Sequence, residues 1–206
     1  MNPDFIEVYD NLLSSKKCHD IIDHIEGQEL SRAAFSGVVH TSIKDAWQIG
    51  GVMNDKSLAS KHIHKALCQA TAMYVETHPQ VQLIKKWGLE DRFNYQKYDP
   101  GQGYYQSHTE NTGHYIFRMM VWMIYLNTVS DEGGTWFEEY GKKTDAVEGR
   151  IVIWPAYWTH MHRGVVSNTQ TKYIATGWYN FTERSDVEEW TMVHGGEEHV
   201  RKSILA

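Results

Sequence analysis

The chain has 206 residues, 41% hydrophobic and 22% charged, which suits one folded domain with a sizeable core and excludes fibrous repeats and wholesale disorder. A formal net charge of -6, with no Lys/Arg run longer than two, leaves no electrostatic footprint for a nucleic-acid backbone. No basic stretch leads into an apolar one, no apolar run approaches ~18 residues, and Cys18 and Cys68 lie far apart without CxxC spacing, so we expect a soluble, cytoplasmic chain with no membrane partner, no disulfide framework and no zinc ribbon.

In chain order, FIEVY (residues 5–9) reads as a short strand. Ser14-Ser15 then caps the helical pattern KKCHDIIDHIEG, whose Cys18, Ile21, Ile22 and Ile25 share a face and whose Gly27 is a stop. Residues 33–54 mix Gly with β-branched residues and read as strands or a loop-rich insertion. Asp55 or Ser57 caps a second helix through about Thr77, with Ile63, Leu67, Ala70, Met73 and Tyr74 at three-and-four spacing, and Pro79 ends it. From Asp91 the texture changes to short segments between turn residues: RFNYQKY, DPGQG, FRMMVWMIYLN, SDEGG, TWFEEY, GKKTDAVEG, RIVIWP and TKYIATGWYNF. That pattern predicts a mainly antiparallel β unit. The fold class is therefore α+β, mainly β: one domain with a helical support region (1–90) covering one sheet, a β core (91–181), and a charged tail (182–206) that reads as helical, a lid or an interface.

The chemistry starts at YYQSHTEN. His and Glu two apart on a strand face the same way. With 12 His in the chain His108-Thr109-Glu110 is weak alone and needs a third ligand. WPAYWTHMHRGVV offers His160 and His162. Two His plus a carboxylate with open positions is the ligand set of non-haem Fe(II) oxygenases. A catalytic zinc also accepts it, though the HExxH helix usual there is absent. The strand TKYIATGW alternates Lys172, Ile174, Thr176 and Trp178 on one face. If that face points inward, Lys172 is a buried cation in need of an anion, such as a dicarboxylate; the bland reading is an edge lysine in solvent.

The ordered run from Tyr98 to Trp178 (YDPGQGYYQSHTE, MIYLN, GGTWF, HRG, TKYIATGW) resembles the double-stranded β-helix (jelly-roll) core of Fe(II)/2-oxoglutarate-dependent dioxygenases of the prolyl 4-hydroxylase-like type, and FIEVYDNLLSSKKCHDII resembles their first strand and helix. The resemblance implies Fe(II) held by His108, Glu110 and His162, and 2-oxoglutarate as co-substrate with its far carboxylate on Lys172. It also implies hydroxyl contacts from Tyr98 and Tyr125, a pocket wall of Trp178 or Thr176, and ascorbate in support. The implied activity is C–H hydroxylation of a prolyl, peptidyl or amino-acid-like substrate with release of succinate and CO2. His162 rather than His160 is the distal ligand by its following Gly and its distance to Lys172. Arg118 stands where the family often has an arginine, so it either holds a substrate carbonyl or is solvated; His114 is a surface or substrate-facing residue, and Gly133 and Gly134 serve a turn. Relatives usually carry Asp at Glu110, so the longer side chain must fold back or its strand must shift. The alternative from another class is a cupin-like metal-binding barrel without turnover; a zinc hydrolase lacks a placed general base.

Overall fold

The computed structural model describes residues 4–34 and 37–182, so the tail beyond Thr182 lies outside the described residues. Its elements run β1 (Glu7–Tyr9), α1 (Ser15–Glu26), β2 (Ser31–Arg32), β3 (Lys44–Asp45), β4 (Trp47–Val52), α2 (Leu58–Thr77), β5 (Trp87–Leu89), β6 (Arg92–Tyr98) and β7 (Gly103–Tyr104). They continue through β8 (Arg118–Tyr125), β9 (Thr135–Phe137), β10 (Lys142–Thr144), β11 (Ile151–Pro155), β12 (His162–Gly164) and β13 (Lys172–Phe181). The architecture is mainly β, with two helices and antiparallel sheets.

The helices form where spacing and caps place them. Ser14 and Gly27 bound α1, and Ser57 opens α2 with its side chain accepting the Ser60 N–H at 3.0 Å. Pro79 starts a 3₁₀ turn after α2. Met73, expected on the packed face, is exposed, because that face is centred on Ile63, Ala66, Leu67, Ala70 and Tyr74.

An eight-stranded sheet, ordered β1-β11-β8-β13-β6-β4-β2 with β5 on β13, is the frame. Alternation divides its two faces. Trp122 and Ile124 of β8, Ala175 and Tyr179 of β13, and Phe93 and Tyr95 of β6 pack under α1 and α2. Val121, Met123 and Tyr125, with Ile174 and Tyr98, point the other way. There a three-stranded sheet, β10-β9-β12, and the β3-β7 pair complete a second layer. β8 is buried along all its residues, which is why MMVWMIY reads as a continuous apolar run rather than an alternating one. The loop-rich stretch 33–54 resolves into β3 and β4, β4 pairing with β6 from Trp47 to Val52. Among the described residues no helix is long and apolar enough to cross a membrane.

Candidate functional site

Between the layers lies a cavity of about 520 Å³. His108 is not on a strand, contrary to the simple two-apart strand geometry. It makes an isolated bridge to His162, exchanging backbone hydrogen bonds at 2.9 and 3.0 Å. The next residues are fixed on one acceptor: the Ala156 carbonyl takes Thr109 Oγ1–H at 2.6 Å, Glu110 N–H at 3.2 Å and Asn111 N–H at 2.8 Å. A turn pinned on the Ala156 carbonyl, not a regular strand, therefore carries Glu110.

The imidazole, carboxylate and second imidazole meet. One ligand atom from each of His108, Glu110 and His162 lies within 4.8 Å of the other two. His108 Nδ1 donates to the Gln106 carbonyl at 3.1 Å and His162 Nδ1 to the His160 carbonyl at 2.9 Å, which leaves both Nε2 atoms as lone-pair donors. Those atoms face Glu110 Oε1 at 3.3 and 3.8 Å. Three electron pairs converging in a buried space repel unless a cation lies between them, so the donor set fits one divalent ion with positions left open. His160 is excluded from this cluster: its Nε2 donates to the Asp4 carbonyl at 2.8 Å.

Burial pushes the Glu110 carboxyl up, but the His108 and His162 imidazoles and the Arg118 guanidinium beside it outweigh that and hold the group down to about 2. Burial lowers His162 to about 4, so it is neutral at pH 7 and ready to act as a ligand. Glu110 Oε2 is oriented by two donors, Trp178 Nε1 at 3.0 Å and Arg118 Nη1 at 3.2 Å. Arg118 is buried rather than solvated. Its Cζ lies 3.3 Å from the Trp178 ring centroid, and its Nε faces Glu90 at 3.8 Å. Trp178 lines the cavity, and its polar contact is with the Glu110 carboxylate.

Lys172, at the head of β13, is 5% exposed and lines the same cavity. Its Nζ donates to the Gly133 carbonyl at 2.9 Å and lies 4.7 Å from the Tyr98 ring centroid, with no carboxylate partner among the described residues. Gly133 is at φ 71, the left-handed conformation the expected turn needs, and that conformation aims its carbonyl at the lysine. Burial alone lowers the Lys172 amine to about 8. Tyr98 lines the cavity, but its hydroxyl donates to Gln96 at 2.6 Å. Tyr125 stands one layer behind: its hydroxyl meets Thr135 Oγ1 at 2.8 Å, and it is Thr135 that reaches the cavity. His114 is exposed, and Arg163 pairs with Glu138 at 3.1 Å.

Two contributors were not assigned roles from sequence. Tyr104 stacks on His108 with ring centroids 3.7 Å apart, and Lys44 lines the cavity from β3. Tyr104 was visible in the tyrosine pair before His108, whereas a two-residue strand gives Lys44 no periodic signal.

Residues 93–180 match the family model described as 2OG-Fe(II) oxygenase superfamily. No curated protein matches the chain. Among solved structures, the viral collagen prolyl hydroxylase of Paramecium Bursaria Chlorella virus-1, in its 2OG complex, is similar at 20% identity and a TM-score of 0.65, over 86% of this chain and 97% of that one. A Pseudomonas putida prolyl-4-hydroxylase is 18% identical, with a TM-score of 0.65 over 86% and 93%. A Trichoplax adhaerens prolyl hydroxylase, in complex with a hypoxia inducible factor peptide fragment, is 16% identical, with a TM-score of 0.71 over 87% and 85%. Residues 93–180 thus carry the likeness to the 2OG-Fe(II) oxygenase superfamily, and the chain is similar in fold to the prolyl hydroxylases.

Proposed function

We propose that the protein hydroxylates a C–H bond of a prolyl, peptidyl or amino-acid-like substrate, using Fe(II), O2 and 2-oxoglutarate and releasing succinate and CO2. The two sheets facing across the cavity are then the halves of a double-stranded β-helix. Lys172 carries the reading: a cation buried in the cavity that also holds three converging metal donors, hydrogen-bonded to a carbonyl but matched by no carboxylate among the described residues. Such a charge is costly unless an anion joins it, and a dicarboxylate that would also reach the ion is an anion that such a cavity would take. A barrel that only bound metal would leave Lys172 uncompensated.

His108, Glu110 and His162 would hold the ion, and Lys172 the far carboxylate of the co-substrate, with Thr135 beside it in place through Tyr125. When bound, Fe(II) and 2-oxoglutarate activate O2: one oxygen atom enters the substrate C–H and the other the succinate, and CO2 leaves. The chain's own work is placement. Arg118 and Trp178 keep Glu110 Oε1 turned to the imidazoles, while Trp154, Met123 and Ile174 line the cavity with apolar surface that displaces water. The likeness to prolyl hydroxylases, one holding a peptide, supports a peptidyl substrate.

Calorimetry with Mn(II) and 2-oxoglutarate, alongside succinate release with Fe(II) and prolyl peptides, tests this. We expect one metal per chain, metal-dependent co-substrate binding, loss of metal in His108→Ala, and in Lys172→Met roughly 100-fold weaker 2-oxoglutarate binding with the metal retained. Metal loss in Lys172→Met with unchanged co-substrate affinity, or neither metal binding nor succinate, sinks the reading.

A further inference from the structure

The cavity holds a second buried lysine that the proposed reaction does not use. Lys44, on β3, is 8% exposed and lines the cavity. Its Nζ lies 5.1 Å from the Tyr104 ring centroid, and Tyr104 stacks on His108 at 3.7 Å, so cation, ring and metal donor stand in one column. Lys172 has a carbonyl to donate to; the Lys44 ammonium has neither a hydrogen bond nor an ion pair among the described residues, only the Tyr104 ring. Burial lowers its amine to about 8, opposed by the charge of Glu110.

The carboxylates nearby are already engaged. Glu110 gives Oε1 to the two imidazoles and Oε2 to Arg118 and Trp178. Glu90, the other carboxylate on the cavity wall, faces Arg118 Nε at 3.8 Å and its Oε2 has no hydrogen-bond partner among the described residues, so Arg118 is the cation it stands against. Asp45, adjacent in sequence, pairs with Arg32 and accepts from Gln102. Three buried cations, Lys44, Arg118 and Lys172, thus stand against two acidic groups, the fourth cation of the wall, Arg92, being exposed to solvent. A divalent ion and a dianionic co-substrate cancel each other. One positive charge is left, and by its contacts it is Lys44. An unpaired buried ammonium is unfavourable, and binding of its counter-charge relieves that cost.

We infer that Lys44 is a specificity-determining residue that receives a carboxylate of the primary substrate, so that the cavity selects substrates bearing an acidic group near the C–H that reacts. The inference rests on the proposed function, in which Lys172 is reserved for 2-oxoglutarate. A site built around a buried charge discriminates strongly against a neutral analogue, because the analogue leaves that charge unpaired.

The test uses full-length protein carrying lysine labelled with 13C at Cε, loaded with Zn(II), with the Lys44 and Lys172 signals assigned from Lys44→Met and Lys172→Met. Addition of 2-oxoglutarate should move the Lys172 signal. N-acetyl-L-proline, added at saturating 2-oxoglutarate, should then move the Lys44 signal saturably, whereas N-acetyl-L-prolinamide should not. Lys44→Met should keep 2-oxoglutarate affinity within about threefold and bind N-acetyl-L-proline at least about tenfold more weakly. A Lys44 signal that responds equally to acid and amide, or to neither, overturns the inference while leaving the proposed function standing. If 2-oxoglutarate moves Lys44 instead of Lys172, the two lysines have exchanged roles and the inference is wrong. If it moves neither, the proposed function itself fails.

Discussion

Glu110 shows how one side chain is fitted to its role by its neighbours. One oxygen faces the imidazoles while the other is held by Trp178 and Arg118, so the carboxylate has little freedom to rotate away. Partners of this kind, one shell out from the ligands, typically account for 10–100-fold in metal affinity. Trp178→Phe keeps the ring beneath Arg118 and removes only the indole N–H. We expect Mn(II) to bind about tenfold more weakly by calorimetry, with 2-oxoglutarate affinity for the metal-saturated protein nearly unchanged. The opposite pattern would return Trp178 to the co-substrate wall. The pair His108 and Glu110 was visible as residues in sequence, but the orienting role of Trp178 was not, because strand alternation gives a face and not a hydrogen-bond partner.

At the scale of elements, the long strands were legible and the short ones were not. RFNYQKY is β6 to the residue, and β13 alternates as its sequence suggests because one face packs on the helices while the other borders the cavity. β3 and β7, two residues each, carry no period that a reader can detect, and they hold Lys44 and Tyr104. β13 also depends on a residue that looks unremarkable in TKYIATGWYNF. A Cβ on Gly177 would lie 2.6 Å from Trp122 Cζ2 and 2.8 Å from Phe93 Cβ. Crowding of that kind in a packed core costs roughly 1–3 kcal/mol. Gly177→Ala should therefore lower the unfolding free energy measured in urea by an amount in that range, and an unchanged value would show that the Trp122 ring moves aside freely.

Across the whole molecule, a chain of net charge -6 keeps three cations buried in one cavity. That arrangement favours ligand binding at the expense of the free protein's stability. Lys172 has an ordinary amine value of 10.5 and is lowered to about 8 by burial, so below about pH 8 folding must carry a charge that the interior disfavours. The shift corresponds to a cost on the order of 3 kcal/mol at neutral pH. Because the folded-state value is the depressed one, this penalty is full below about pH 8 and fades as pH rises toward 10.5. Lys172→Met should consequently be more stable than the parent protein at pH 7, by roughly 1–3 kcal/mol in denaturant unfolding once its lost hydrogen bond to Gly133 is set against the relief. The margin should shrink above about pH 8. Saturating Mn(II) with 2-oxoglutarate should reverse the order: at about 100 times the dissociation constant a ligand adds about 2.7 kcal/mol to the parent protein. The variant should gain from the metal alone. A Lys172→Met protein less stable than its parent without ligands would mean that the lysine is held for structure, and the cavity's unmatched charge would no longer point to an anion.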